Sequence, residues 1–162
     1  MLSEKLTNAL SGQINKEMSS AYLYLGMATH FEAEGLHGFA HWLNKQANEE
    51  MEHAMKIYKF IFEAGSVPSL DKIDAPKTKY GTPEEVIKEV LKHEQFVTDS
   101  INKLYELAVA EKDYKTQNFL TWFIDEQVEE EANVTEILDK FKYINSNNCG
   151  IIFLDKELGS RA

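Results

Sequence analysis

Proline is confined to one short stretch of this sequence, and no other feature restricts the possible folds as much. The three prolines lie at positions 68, 76 and 83, and the chain on both sides is rich in Ala, Leu, Glu, Lys and Met, which favour helix. We therefore predict four long helices. They run from about Ser3 to Glu34, from Gly38 to Ala64, from Thr82 to Ala110, and from after Lys112-Asp113 to about Tyr143.

The connections between these helices set their arrangement in space. Thr82-Pro83-Glu84-Glu85 is a capping box that starts the third helix, and Gly65 is a stop signal for the second. The sixteen residues from Ser66 to Gly81 reach roughly 50 Å when extended, about the length of a long helix. The second and third helices can therefore lie parallel, whereas short connections make the other pairs antiparallel. The prediction is an all-α four-helix bundle with one long crossover between the second and third helices.

The length of 162 residues suits one domain with its own core. We predict a single domain over residues 1–162, with the bundle over about 3–143. The last segment, CGIIFLDKELG, predicts a short fifth helix over about 147–158. Its IIFL run either packs against symmetry-related copies or covers its own bundle.

Each long helix carries an apolar stripe at the spacing i, i+3, i+4, i+7, and each stripe is interrupted by polar residues near its middle. The interrupting residues are Glu17, Glu50 with His53, Glu94, and Gln127 with Glu130. Glu17 precedes Glu94 by 77 residues, and Glu50 precedes Gln127 by the same 77. The two helical pairs therefore look like repeats related by a two-fold axis, which would bring all four polar clusters to one central point.

Several carboxylates can be buried together only if their charge is neutralised. No lysine or arginine lies on the stripes near these clusters; protonation could neutralise one or two, and a divalent cation neutralises more. Carboxylates with one histidine and no thiolate suit Fe(II), Fe(III) or Mn(II) better than structural zinc. Di-metal carboxylate bundles use a single Glu from two helices and Glu-x-x-His from the other two. Here the second motif is altered to Gln127-x-x-Glu130, so we expect the second metal to bind more weakly.

In these features the chain resembles bacterial non-haem ferritins over essentially its whole length, which implies the ferritin-like bundle. The resemblance implies a ferroxidase centre made of Glu17, Glu50, His53, Glu94 and Glu130, with Gln127 beside it. It implies a third iron site made of Glu49, Glu126, Glu129 and Glu130. Tyr24 matches the tyrosine of the family's centre and Trp122 the nearby tryptophan. Within this set, Tyr24, Glu50 and Glu130 are the expected catalytic residues.

The resemblance also implies a function. The chain is expected to bind Fe(II), to oxidise it with dioxygen or peroxide, and to store it as a ferric oxyhydroxide mineral. Storage would take place inside a homo-oligomeric shell of 24 subunits. Iron is the expected metal, at a di-iron centre with a third iron site.

Composition excludes several other classes of function. The net charge of -10 and pI near 5.0 argue against nucleic-acid binding, and no apolar run is long enough to span a membrane. The first residues, MLSEKLTNAL, contain no apolar core, so we expect no signal peptide. The single cysteine, Cys149, excludes an internal disulfide framework, and a reducing cytoplasm is the simplest location.

Less specific interpretations stay open for individual residues. An isolated glutamate is usually solvated, and the outer glutamates, Glu49, Glu126 and Glu129, could form a solvated face. Tyr24 and Trp122 could serve packing alone. Structural or surface roles are expected for His30, His37, His41 and His93. Met51 follows Glu50 as the haem-ligating methionine does in bacterioferritins, but those proteins keep a second Glu-x-x-His, so we expect no haem.

The rival functions are a soluble di-iron enzyme like rubrerythrin, whose usual cysteine-rich domain is lacking, and a bundle with a passive metal.

Overall fold

The computed structural model describes residues 1–144 and 148–162, and within them the regular structure is five α-helices. The helices are α1 (Glu4–Glu34), α2 (His37–Glu63), α3 (Pro83–Ala110), α4 (Tyr114–Phe141) and α5 (Asn148–Leu158). The four long helices and the short fifth are thus confirmed. α2 begins one residue before the predicted Gly38, and α4 ends two residues before the predicted Tyr143. The predicted start of the fifth helix, position 147, lies outside the described residues.

The helix ends follow from the side chains that satisfy free backbone groups. The Ser3 hydroxyl accepts a hydrogen bond from the Leu6 N–H, and the predicted capping box at Thr82 is complete. The side chain of Asp113 accepts from the Thr116 N–H and starts α4. Gly35 and Gly65 follow α1 and α2 with φ of 79° and 80°, a conformation that glycine adopts without strain.

The four long helices form the predicted bundle. The tight connection at Gly35 and Leu36 places α2 antiparallel against α1, and α4 packs in the same way against α3. The segment between α2 and α3 contains no helix and serves as the long crossover. The helix α5 packs against the start of α2, where the Phe39 N–H donates to Asp155 Oδ1 at 2.9 Å.

Apolar residues collect in two separate clusters along the bundle. One cluster includes Phe31, Phe39 and Phe141, and the other includes Leu10 and Phe123. Along α1 the boundary between the clusters falls around Glu17, in the middle of the helix. The predicted interruption of the stripes therefore corresponds to a polar layer between two apolar halves of the core. Among the described residues, no helix combines the length and the apolar character that crossing a membrane requires.

Candidate metal centre

Each long helix buries one carboxylate of the polar layer. Glu17 from α1, Glu50 from α2, Glu94 from α3 and Glu130 from α4 are between 0% and 3% exposed, and His53 is 5% exposed. They are buried because each lies on the apolar stripe of its helix, where the adjacent turns hold the side chain inward. The inward orientation predicted for these residues is confirmed.

Three of these side chains converge most closely. Glu17, Glu50 and His53 each offer one ligand atom, and the three atoms lie within 4.8 Å of one another. His53 Nδ1 is 3.6 Å from Glu50 Oε2. Among the described residues, neither Glu50 oxygen nor Glu17 Oε2 has a hydrogen-bond partner. Buried carboxylate oxygens without a donor are costly, and a divalent cation at their centre would satisfy them.

The remaining carboxylates are held by neutral hydrogen-bond donors. Tyr24 O–H donates to Glu94 Oε1. The Gln127 Nε2 donates at 3.2 Å to Glu94 Oε2, and also to the Glu94 carbonyl and Thr98 Oγ1. Since these donors carry no charge, they fix the direction of the Glu94 carboxylate without neutralising it.

Two supporting glutamines were missed from the sequence. Gln13 Nε2 donates to Glu17 Oε1 at 2.8 Å, and Gln46 Nε2 donates to Glu130 Oε2 at 2.8 Å. A signal for them exists, because Gln13 and Gln46 each precede a stripe glutamate by four residues and so lie one turn away on the same face. That spacing predicts burial, but it does not predict that Gln46 bonds to α4.

Electrostatics shows why the layer favours a cation. Burial, followed by repulsion from Glu50, raises the pKa of the Glu17 carboxyl well above its ordinary value. The pKa of Glu50 is likewise well raised, by burial and then by Glu94. Burial also raises the pKa of Glu94. The pKa of Glu130 is raised to about 7, first by burial and then by repulsion from Glu94. Every one of these shifts has the sign that burial and repulsion between neighbouring carboxylates produce, and a bound cation would oppose both.

The predicted outer glutamates are more dispersed. Glu126 Oε1 lies 3.9 Å from His53 Nε2, at the edge of the polar layer. Glu129 is exposed. Glu49 is paired with Arg161, which donates to its two carboxylate oxygens at 2.9 and 2.7 Å. In the described part of the chain, these glutamates do not form a second group of ligand atoms as close as the first.

Aromatic side chains border the polar layer on two sides. Tyr24 is fully buried, and its ring meets the edge of His93 at a centroid distance of 5.7 Å. Trp122 is 37% exposed and lies 5.4 Å from the His53 ring, centroid to centroid. Lys56 Nζ covers the Trp122 ring at 3.3 Å from its centroid. Trp122 therefore packs against the ligand set and contacts a surface cation.

The other histidines are hydrogen-bonded outside the polar layer. The bonds pair His30 with the Gly81 carbonyl, His37 with Glu32, His41 with the Arg161 carbonyl, and His93 with Ser20 Oγ. Their distances are between 2.6 and 3.2 Å.

The sequence and the fold are similar to those of known proteins. A family model described as a ferritin-like domain matches residues 7–144. The chain is 48% identical over 161 residues to a bacterial non-heme ferritin from Bacteroides fragilis (strain 638R), covering 99% of this chain and 100% of the relative. It is 34% identical over 160 residues to one from Escherichia coli O157:H7, covering 99% and 97%. A crystal structure of an open pore ferritin from the hyperthermophilic archaeon Archaeoglobus fulgidus superposes with a TM-score of 0.98 at 43% identity, covering 100% of this chain and 99% of that chain.

Proposed function

This chain belongs to the iron-storage ferritin family, and from that premise we propose that it binds Fe(II) in the polar layer of the bundle, oxidises it there and stores the product. Fe(II) is the substrate. Each ion loses one electron to dioxygen or peroxide, and Fe(III) then hydrolyses to a ferric oxyhydroxide mineral. The chain is thus proposed to be a ferroxidase that combines storage with detoxification of iron.

One observation carries the proposal. Glu17, Glu50 and His53 place their ligand atoms within 4.8 Å of one another in a buried layer. The carboxylate oxygens without partners there can be satisfied by a cation, and oxygen atoms with one imidazole nitrogen are a donor set that iron accepts. A passive structural ion is the poorer fit, because the layer contains more carboxylate charge than one divalent ion neutralises.

The ligand set supports two iron ions bound unequally. We assign the first ion to Glu17, Glu50 and His53, and the second to Glu50, Glu94 and Glu130. The second ion has no histidine and therefore binds more weakly. Glu130 lies where the second motif would have its histidine, and Gln127 lies where it would have its glutamate. The Nε2 of Gln127 is committed to Glu94, which leaves only the amide oxygen to face a metal.

Tyr24 supports this chemistry by fixing Glu94. Burial, followed by the negative charge of Glu94, raises the pKa of the Tyr24 phenol well above its ordinary value. The phenol therefore keeps its proton and remains a donor to Glu94 Oε1. A carboxylate held in one direction binds a metal without the entropy loss that a mobile side chain would suffer.

We further propose that Glu49, Glu126, Glu129 and Glu130 form a third iron position, and that residues 1–162 act as one domain in a 24-subunit shell in the cytoplasm. Exposed apolar side chains support assembly. They lie on α1, α2 and α5, and include Tyr22, Leu25, Met51, Met55, Ile152 and Phe153. Their side chains are 43% to 78% exposed, and contact with neighbouring subunits would cover this apolar surface.

Aerobic loading of the metal-free protein with Fe(II), followed by sizing with iron quantified in the protein peak, tests the proposal. Iron far above about two ions per chain, on a particle of several hundred kilodaltons, supports a storage shell. Iron that stops at about two per chain on a small particle would identify a di-iron enzyme instead. Glu50→Gln should abolish rapid oxidation while the fold survives. The exposed neighbour Glu52 provides the matched control, and Glu52→Gln should leave oxidation unchanged.

A further inference from the structure

The only arginine in this sequence lies against a proposed iron ligand. Arg161 follows α5, and its Nη2 donates to both carboxylate oxygens of Glu49, at 2.9 and 2.7 Å. Apart from the histidines, the other basic side chains of the chain are lysines, which lack the second terminal nitrogen of a guanidinium. The guanidinium thus neutralises Glu49 at the edge of the polar layer.

The segment after α5 is held so that the guanidinium reaches this position. The Arg161 carbonyl is hydrogen-bonded to His41 Nε2 at 2.7 Å, and the guanidinium carbon lies 5.4 Å from the centre of the Trp42 ring. Arg161 Nη1 donates to Gln46 Oε1 at 2.5 Å. Three consecutive turns of α2 therefore contact this one residue, and its side chain is only 25% exposed.

We propose that Arg161 is a tethered cation that competes with a metal ion for Glu49. This inference rests on the proposed function, in which Glu49 belongs to a third iron position. A guanidinium nitrogen that donates to both oxygens of a carboxylate occupies the position between them, where a metal bound by both oxygens would lie. An ion takes that position only after Arg161 turns away, and the positive charge of Arg161 also repels an approaching ion.

The competition reaches the central layer through one glutamine. Because Arg161 donates to Gln46 Oε1, the amide of Gln46 is oriented with Nε2 toward Glu130 Oε2, at 2.8 Å. When a metal displaces Arg161, Gln46 loses the donor that orients it, and Glu130 becomes free to turn toward the new ion. Glu130 is the residue shared between the second and third proposed positions, so filling the third position weakens the hold on the second ion.

Calorimetric titration of the metal-free protein with Zn(II), which is redox-inert, tests the competition without relying on turnover. Arg161→Gln removes the cation and keeps a side chain of similar length. The third ion should bind roughly tenfold more tightly in this variant than in the wild type, since a charge-assisted contact no longer has to be broken. Lys156→Gln is the matched control, because it removes one exposed positive charge from the same part of the chain; it should leave the third ion unaffected.

A second pair of variants, both carrying Glu49→Gln, tests whether Arg161 acts through Glu49 and not through another surface site. Glu49→Gln should remove the third ion, and adding Arg161→Gln to it should then change nothing. If Arg161→Gln binds the third ion no more tightly than the wild type, Arg161 is only a structural tie and the inference is wrong. If neither protein takes up the two central ions, the proposed function itself is wrong and the inference falls with it.

A crystal structure of the wild type grown with Zn(II) gives an answer that does not depend on any variant folding. The expected result is an ion at Glu49 with the Arg161 guanidinium turned away from both carboxylate oxygens. An ion bound to Glu49 while Arg161 still donates to both carboxylate oxygens would overturn the proposal.

Discussion

Glu130→Gln should stabilise the metal-free protein at alkaline pH and have no such effect in acid. The Glu130 carboxyl is 3% exposed, and burial followed by repulsion from Glu94 raises its pKa from 4.5 to about 7. A carboxyl whose pKa is raised on folding favours the folded state fully only below its unfolded pKa. That contribution is lost as the pH rises from 4.5 through about 7.

The magnitude follows from the difference between the two pKa values. At pH 8, holding Glu130 ionised costs the folded chain roughly 3 kcal/mol, and at pH 5 the cost is below about 1 kcal/mol. Glutamine removes this cost and keeps an oxygen that can accept the bond from Gln46 Nε2. In a chain of this size, the gain should raise the unfolding midpoint at pH 8 by roughly 5–10 °C.

Scanning calorimetry of chelator-treated protein between pH 5 and 8 measures the effect. Glu129→Gln is the matched control, because Glu129 is the preceding residue and is exposed; its midpoint should change little at either pH. With saturating Zn(II) at pH 8, the wild type should have the higher unfolding midpoint, since the carboxylate of Glu130 binds the ion better than the amide that replaces it in Glu130→Gln. An unchanged midpoint at pH 8, or the same gain at both pH values, would refute the electrostatic reasoning.

Three further predictions concern single contacts. Tyr24→Phe removes the donor to Glu94 and should slow Fe(II) oxidation roughly three- to tenfold in stopped-flow absorbance, whereas exposed Tyr22→Phe should not; equal rates for both would leave Tyr24 a packing residue. Thr82→Ala breaks the capping box and should cost about 1 kcal/mol in chemical unfolding, and no loss relative to exposed Thr78→Ala would contradict the role of the cap. Gly38→Ala should detach α5 and impair shell assembly in sizing experiments, because the new Cβ would lie 1.6 Å from the Asp155 carbonyl oxygen. Gly12→Ala, which meets no atom within 4 Å, should assemble normally; normal assembly of both variants would show that this contact is not needed.

The helical elements were predictable because their causes are local. Apolar spacing, the confinement of proline and the Thr82 capping box act over a few residues, and they predicted each long helix to within two residues at either end. The burial of Glu17, Glu50, Glu94 and Glu130 also follows from position on a stripe. A stripe glutamate must point inward if its apolar neighbours do, whatever the rest of the chain does.

The contacts that orient the polar layer depended instead on the path of the whole chain. Nothing in the spacing of Gln46 selects Glu130 on α4 as its acceptor over Glu50 on its own helix. Arg161 reaches Glu49 across 112 residues of sequence, and the stripes alone indicated that no basic residue was near. Periodicity reports the face on which a residue lies, since it repeats with the helix itself. The partner a side chain meets is set by how α5 docks on α2 and by the side-chain directions there, and the tertiary structure alone decides both.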